Sequence, residues 1–108
     1  MAAIPEIGPL ELKRRLDAGE QFTLLDVREP WEVAIAQIPG SLNIPLGEVP
    51  SRLSELDSAA PVVVMCKVGG RSLRAAHFLA ARGFSQVANL AGGIDAWAQE
   101  VDPGVPTY

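Results

Sequence analysis

Apolar and polar positions along this chain fall into short blocks whose period switches between helical and extended. Gly8-Pro9 followed by Leu10-Glu11-Leu12-Lys13-Arg14-Arg15-Leu16 predicts a short helix, with Pro9 suited to its first position and Gly19 to its stop. Residues 22–27 are mainly apolar and β-branched, with Asp26 near the end, and predict a strand. Pro30–Ile35 predicts a helical turn or two, Ile38-Pro39-Gly40 a turn, and Leu42-Asn43-Ile44 a short strand closed by Pro45. Residues 51–56, with Leu53 and Leu56 three apart, predict another short helix. Pro61-Val62-Val63-Val64-Met65-Cys66 is the clearest element, continuously apolar as a strand covered on both faces must be.

A glycine-bearing loop at 67–71 follows. Residues 72–82 then predict an amphipathic helix with Leu73, Ala76, Leu79 and Ala80 on one face, stopped by Gly83. Val87–Leu90 predicts a strand, Gly92-Gly93 a turn, 94–101 a final helix carrying Trp97, and 102–108 an extended tail. Strands alternating with helices predict an α/β fold. Its central sheet is mostly parallel, of about five strands, with helices on both faces and right-handed connections.

Composition narrows the class. The 108 residues suit one domain, taken as 1–108, and 48% apolar content is ample for a core. The formal net charge of −4 argues against nucleic acid as a partner, since phosphate backbones select basic faces. No apolar stretch is long enough to span a bilayer, so no membrane role is expected. Residues 1–8 hold no basic residue and no long apolar run, which is unlike a secretory signal, and the expected location is cytoplasmic. A segment cut from a larger chain would read the same way. Cys66 is the only cysteine, which excludes an internal disulfide, a four-cysteine zinc site and a Cys-x-x-Cys pair.

The chemistry concentrates in Cys66-Lys67-Val68-Gly69-Gly70-Arg71-Ser72, between a buried strand and a helix. Ligand sites in open α/β sheets form beyond the carboxyl ends of strands. A helix starting near Ser72 aims unpaired N–H groups and partial positive charge at the loop. Gly69 and Gly70 both allow φ > 0, so successive N–H groups can curl into an anion nest, and Lys67 and Arg71 add full charges. Each feature favours an anion there, and the residue at the rim is a thiol. Such surroundings lower a thiol's pKa and make the thiolate the main species. The bland alternative is a small buried hydrophobe at a strand end.

This loop resembles the active-site loop of the rhodanese family, where a cysteine, four intervening residues and an arginine ring one sulfur. Leu24-Leu25-Asp26-Val27-Arg28-Glu29 is similar to the family's Asp-x-Arg segment, and Ile38-Pro39-Gly40-Ser41 to its Ile-Pro-Gly-Ala turn. Gly92-Gly93-Ile94-Asp95-Ala96-Trp97 is similar to its Gly-Gly-x-x-x-Trp segment. The resemblance implies a rhodanese fold and a sulfurtransferase in which Cys66 carries sulfur as a persulfide, with no metal or organic cofactor. It implies a small sulfur anion such as thiosulfate, or a protein persulfide, as donor. The loop and the tail Asp102-Pro-x-Val-Pro-x-Tyr108 are similar to the C-terminal rhodanese domain of E1-like adenylyltransferase–sulfurtransferases. That adds a ubiquitin-like sulfur carrier as a possible acceptor, with its adenylation supplied elsewhere.

Other residues receive lesser roles. Asp26 is expected to bond loop N–H groups or pair with a cation near the loop, and Arg28 and Glu29 to line the pocket mouth or serve structure. His77 falls mid-helix, too far from the nest for acid–base work. Trp31 and Trp97 read as packing, Arg74 as a steering cation, and Gln37, where the family often has histidine, as a local packing change. Two other functions compete with the enzyme. One is a non-catalytic binding or regulatory module of the same fold. The other is a cysteine phosphatase, whose loop is one residue longer between cysteine and arginine.

Overall fold

Val62, Val63, Val64 and Met65 are all buried, as an unbroken β-branched run demands, and they form the middle strand of the sheet. The computed structural model describes residues 3–108, so Met1 and Ala2 of the expected leader-free N-terminus lie outside the described residues. The strands are β1 (Glu6–Ile7), β2 (Thr23–Asp26), β3 (Leu42–Asn43), β4 (Val62–Met65) and β5 (Val87–Leu90). They lie in the order β1-β5-β4-β2-β3, and every pairing is parallel. Helices α1 (Pro9–Asp17), α2 (Pro30–Ile35), α3 (Gly70–Ala81) and α4 (Gly93–Glu100) make the crossovers, joined by 3₁₀ turns at Leu46–Glu48 and Pro50–Glu55.

The period of two along the strands separates two cores. Leu24, Val63 and Met65 face one way, against Leu12 of α1 and Ile94, Trp97 and Ala98 of α4. Leu25, Val62 and Val64 face the other way, against Ala75, Ala76 and Leu79 of α3. Each fully buried aliphatic side chain contributes roughly 1.5–3 kcal/mol relative to exposure. Both faces are therefore covered, as the sequence predicts. No helix of the described residues is long and apolar enough to cross a membrane.

Four details differ from the sequence reading. β1 is an added strand of two residues, too short to show a period, paired to β5 through Glu6–Asn89 and Ile7–Leu90. The helix expected at 51–56 is 3₁₀ and starts at Pro50, with a break at Arg52 where φ is −118°. α3 begins at Gly70, two residues before the expected start, because Gly69 at φ +111° turns the chain into it. The tail is not extended throughout. Asp102 O accepts from Val105 N at 3.1 Å, and this turn places Val105 in the α1–α4 core.

Candidate active site

β4 ends at Met65 and α3 begins at Gly70, so Cys66 stands at the carboxyl end of the central strand with a four-residue turn above it. The left-handed φ of Gly69 folds that turn back over the sulfur. Cys66 Sγ accepts from Gly69 N at 3.1 Å, Ser72 N at 3.4 Å and Ser72 Oγ at 3.3 Å. The Ser72 hydroxyl also lies 3.1 Å from Gly69 O, and its single hydrogen serves one acceptor at a time. Gly70, expected to share the positive φ, does not adopt it; one left-handed residue suffices to close the nest.

Burial pushes the Cys66 thiol up, and the hydrogen bonds outweigh it. The Ser72 hydroxyl, then the backbone N–H groups of Ser72, Gly69 and Val68, bring the thiol below its ordinary value. The expected rim position is corrected. Cys66 is 1% exposed and belongs to the α3-side core, because the turn lies over it as a roof with Val68 outermost.

The expected role of the cations is corrected as well. Arg71 does not stand free beside the sulfur: its Nη1 and Nη2 donate to Glu32 at 2.7 and 2.8 Å. The Lys67 ammonium donates to Asp95 at 2.8 Å and sits 4.9 Å from the centre of the Tyr108 ring. Both positive charges are compensated, so oriented N–H and O–H groups stabilise a thiolate here more than full charges do. Arg71 holds the Glu32 carboxyl down at about 2, against a smaller opposing effect of burial. Sequence reasoning missed Glu32. The available signal was Glu29-Pro30-x-Glu32, a capping box in which Glu29 N donates to Glu32 Oε2 at 2.9 Å.

Asp26 and Arg28 are both fully buried, and neither takes the first role expected of it. Asp26 bonds no loop N–H; its carboxylate accepts from Arg28 N and Nε at 3.0 Å and from Nη2 at 2.7 Å. Arg28 lines no mouth, since its remaining donors reach Ala36 O at 2.7 Å and the Tyr108 hydroxyl at 2.9 Å. The Tyr108 hydroxyl in turn donates to Glu32 at 2.8 Å. Asp26, Arg28, Tyr108, Glu32 and Arg71 therefore form one polar chain from under the sheet end to the loop.

The loop backbone is braced from behind. The amino end of α4 donates from Ile94 N to Cys66 O at 2.9 Å and from Asp95 N to Lys67 O at 3.1 Å. A Cβ on Gly93 would lie 2.5 Å from Cys66 O, which explains the second glycine of Gly92-Gly93. Asn89 of β5 donates to Gly69 O at 3.1 Å and fixes the turn from the sheet side.

The lesser expectations divide. His77 is half-buried in the middle of α3, Trp97 is buried, and Trp31 is exposed with its ring edge-on to Tyr108 at 5.8 Å. Gln37 is exposed and fills no packing position; Glu29 is exposed at the start of α2. Arg74 is exposed on the wall of an apolar groove of about 440 Å³ lined also by Leu46, Val49 and Phe78. Among the described residues no three His, Cys, Asp or Glu side chains gather as metal ligands.

The chain is similar to known proteins in sequence and in fold. The rhodanese-like domain family matches residues 8–100. A sulfurtransferase of Allochromatium vinosum is 40% identical over 89% of this chain and 90% of its own length. Two plant relatives are much longer: the chain spans 31% of one and 27% of the other, the Arabidopsis thaliana adenylyltransferase and sulfurtransferase MOCS3, to which it is 37% identical over its full length. Among solved structures, the human single-domain sulfurtransferase TSTD1 superposes with a TM-score of 0.77 at 30% identity, covering 91% of this chain and 98% of that one. With a parallel β1-β5-β4-β2-β3 sheet, a cysteine turn ahead of α3 and this spread of similarity, the chain belongs to the rhodanese-like domain family, homologous to sulfurtransferases.

Proposed function

We propose that this domain is a sulfurtransferase that carries sulfane sulfur as a persulfide on Cys66, working in the cytoplasm where thiols stay reduced. The observation that supports it most is the convergence of Gly69 N, Ser72 N and Ser72 Oγ on one sulfur at the end of β4. Lys67, Val68, Gly69, Gly70, Arg71 and Ser72 form the binding loop, and Asp26 and Arg28 support it from below. In the first step the Cys66 thiolate attacks the outer sulfur of the donor. An S–S bond forms on Cys66 as the donor's bond to that sulfur breaks, and the electron pair leaves with the donor remnant, which is sulfite when the donor is thiosulfate. In the second step an acceptor nucleophile takes the outer sulfur and Cys66 leaves as thiolate. These are two displacements through a covalent intermediate, which call on neither a metal nor an organic cofactor.

The persulfide's terminal sulfur is also an anion, so a nest of N–H donors suits the loaded state as well as the thiolate. With one cysteine in these 108 residues, a thiol acceptor has to come from outside them. The similarity to MOCS3, named as both adenylyltransferase and sulfurtransferase, supports a second cellular route whose acceptor is electrophilic, the adenylated end of a ubiquitin-like carrier. There the terminal persulfide sulfur attacks the acyl carbon and AMP leaves. Two external thiols then reduce the acyl disulfide, releasing the carrier thiocarboxylate and the Cys66 thiolate as they form a disulfide. A phosphatase reading is disfavoured because Glu32 already occupies the guanidinium that would hold a phosphate.

The test is turnover. Wild-type protein given a sulfane-sulfur donor and cyanide is expected to form thiocyanate, and Cys66→Ser to form none above the uncatalysed rate. Equal rates from the two proteins would leave only a binding module.

A further inference from the structure

We infer that Glu32 and Asp95 set the donor specificity of this site, tuning it to a sulfur donor with a single negative charge, the class of a persulfide, and against a small dianion. The inference rests on the Cys66 sulfurtransferase reading and narrows its donor. Its basis is the charge pairing around the sulfur.

The loop supplies two cations, Arg71 and Lys67, and the fold supplies one carboxylate for each. The mouth is thus neutral before the thiolate forms and carries a net negative charge after. A dianion approaching Cys66 meets repulsion with no free guanidinium or ammonium on the loop itself to offset it. It has to displace Glu32 from Arg71, and the geometry resists that. Glu32 is buried and its two oxygens accept four hydrogen bonds: Arg71 Nη1 at 2.7 Å, Arg71 Nη2 at 2.8 Å, Tyr108 Oη at 2.8 Å and Glu29 N at 2.9 Å. Every lone-pair site of the carboxylate is used, so swinging it away leaves three partners unpaired at once. The Asp95 lock is lighter, with one 2.8 Å bond between side chains about 30% exposed.

A monoanionic donor avoids most of this cost. Its transferred sulfur needs only the N–H nest, and its leaving group needs no dedicated cation. Arg74, which makes no ion pair among the described residues, stands farther along α3 beside the apolar groove, where it suits the stem of a larger donor better than the sulfur itself.

The experiment compares two donors that differ mainly in charge, thiosulfate and methanethiosulfonate. Each passes its outer sulfur to the Cys66 thiolate and releases sulfite or methanesulfinate, with cyanide as the common acceptor. We expect wild type to favour methanethiosulfonate in kcat/KM, with a thiosulfate rate that rises as salt screens the repulsion. Glu32→Gln is expected to raise thiosulfate kcat/KM about tenfold relative to methanethiosulfonate, the effect of roughly 1.4 kcal/mol, and to flatten the salt dependence. Asp95→Asn, on a more exposed side chain, is expected to move the ratio in the same direction and covers the case in which Glu32→Gln folds poorly. An unchanged donor ratio in both variants, or a wild-type preference for thiosulfate, would overturn the inference while leaving the persulfide reading intact. Absence of turnover with either donor would sink that reading itself.

Discussion

Removing the Ser72 hydroxyl is the sharpest perturbation of the thiol. Ser72→Ala deletes the Oγ donor 3.3 Å from Cys66 Sγ and keeps the backbone N–H at 3.4 Å. Asn89 still donates to Gly69 O, so the turn keeps a brace. A hydrogen bond to a charged group contributes about 1.5–3 kcal/mol. At 3.3 Å and shared with Gly69 O, the lower end applies here. About 1.4 kcal/mol corresponds to a tenfold fall in the thiolate-to-thiol ratio at any pH below the midpoint. Intrinsic nucleophilicity rises as the thiol becomes more basic, with a slope of about 0.4–0.5, which returns roughly threefold. At a pH well below both midpoints the alkylation rate therefore falls only about three- to fourfold, whereas the pH midpoint moves upward clearly. The assay is iodoacetamide alkylation against pH, followed by mass, which reports on one site because the chain has one cysteine. Arg71→Ala is the control, and its midpoint should move less, since Glu32 already compensates that charge. An unmoved midpoint in Ser72→Ala beside a raised one in Arg71→Ala would refute the hydrogen-bond account and restore the cation.

Three further outcomes follow from the supporting structure. The Glu32 carboxyl is held at about 2, below the ordinary 4.5 of a glutamate, so its contribution is fully present above pH 4.5 and is lost as pH falls toward 2. Arg71 is a third exposed, which reduces the full shift to about 2 kcal/mol; urea midpoints of wild type and Glu32→Gln should converge between those pH values, and a constant gap would contradict the pairing. Asp26→Ala strands the buried Arg28 charge and should cost about 3–5 kcal/mol in urea unfolding, with a loss under 1 kcal/mol as the contrary result. Gly93→Ala forces a Cβ to 2.5 Å from Cys66 O at φ +59° and should cost at least about 2 kcal/mol together with sulfur loading. Gly47→Ala meets nothing within 4 Å and should leave both unchanged, so similar losses in the two variants would contradict a specific clash at the loop.

Much of the fold was legible because the signals were local. The run at 61–66 and the spacing of Leu73, Ala76 and Leu79 carry their own periods, and the glycines at 69 and 83 mark the ends of α3. β1 was not legible, because two residues show no alternation and Glu6–Ile7 becomes a strand only through β5. The cysteine turn was read as an anion nest from residue types alone, and the donors on Sγ match that geometry. The charge balance was hidden because it is tertiary. Arg71 and Glu32 are 39 positions apart, Lys67 and Asp95 28 apart, and Tyr108 reaches Glu32 across 76. A cation partner for Asp26 was expected, but arginine is ordinarily exposed, so nothing in Asp26-Val27-Arg28 announced that the partner is Arg28 or that the pair is fully buried. Cys66 looked like a rim residue because its chemistry is external, yet the turn roofs it.

The central claim is a sulfur atom held on Cys66, and intact mass measures it directly. Wild-type protein and Cys66→Ser are incubated with excess methanethiosulfonate, desalted and weighed, then treated with cyanide and weighed again. Wild type should gain one sulfur atom and lose it to cyanide as one equivalent of thiocyanate, and Cys66→Ser should gain nothing. Wild-type protein that stays at its unmodified mass, or a gain that persists in Cys66→Ser, would contradict the claim.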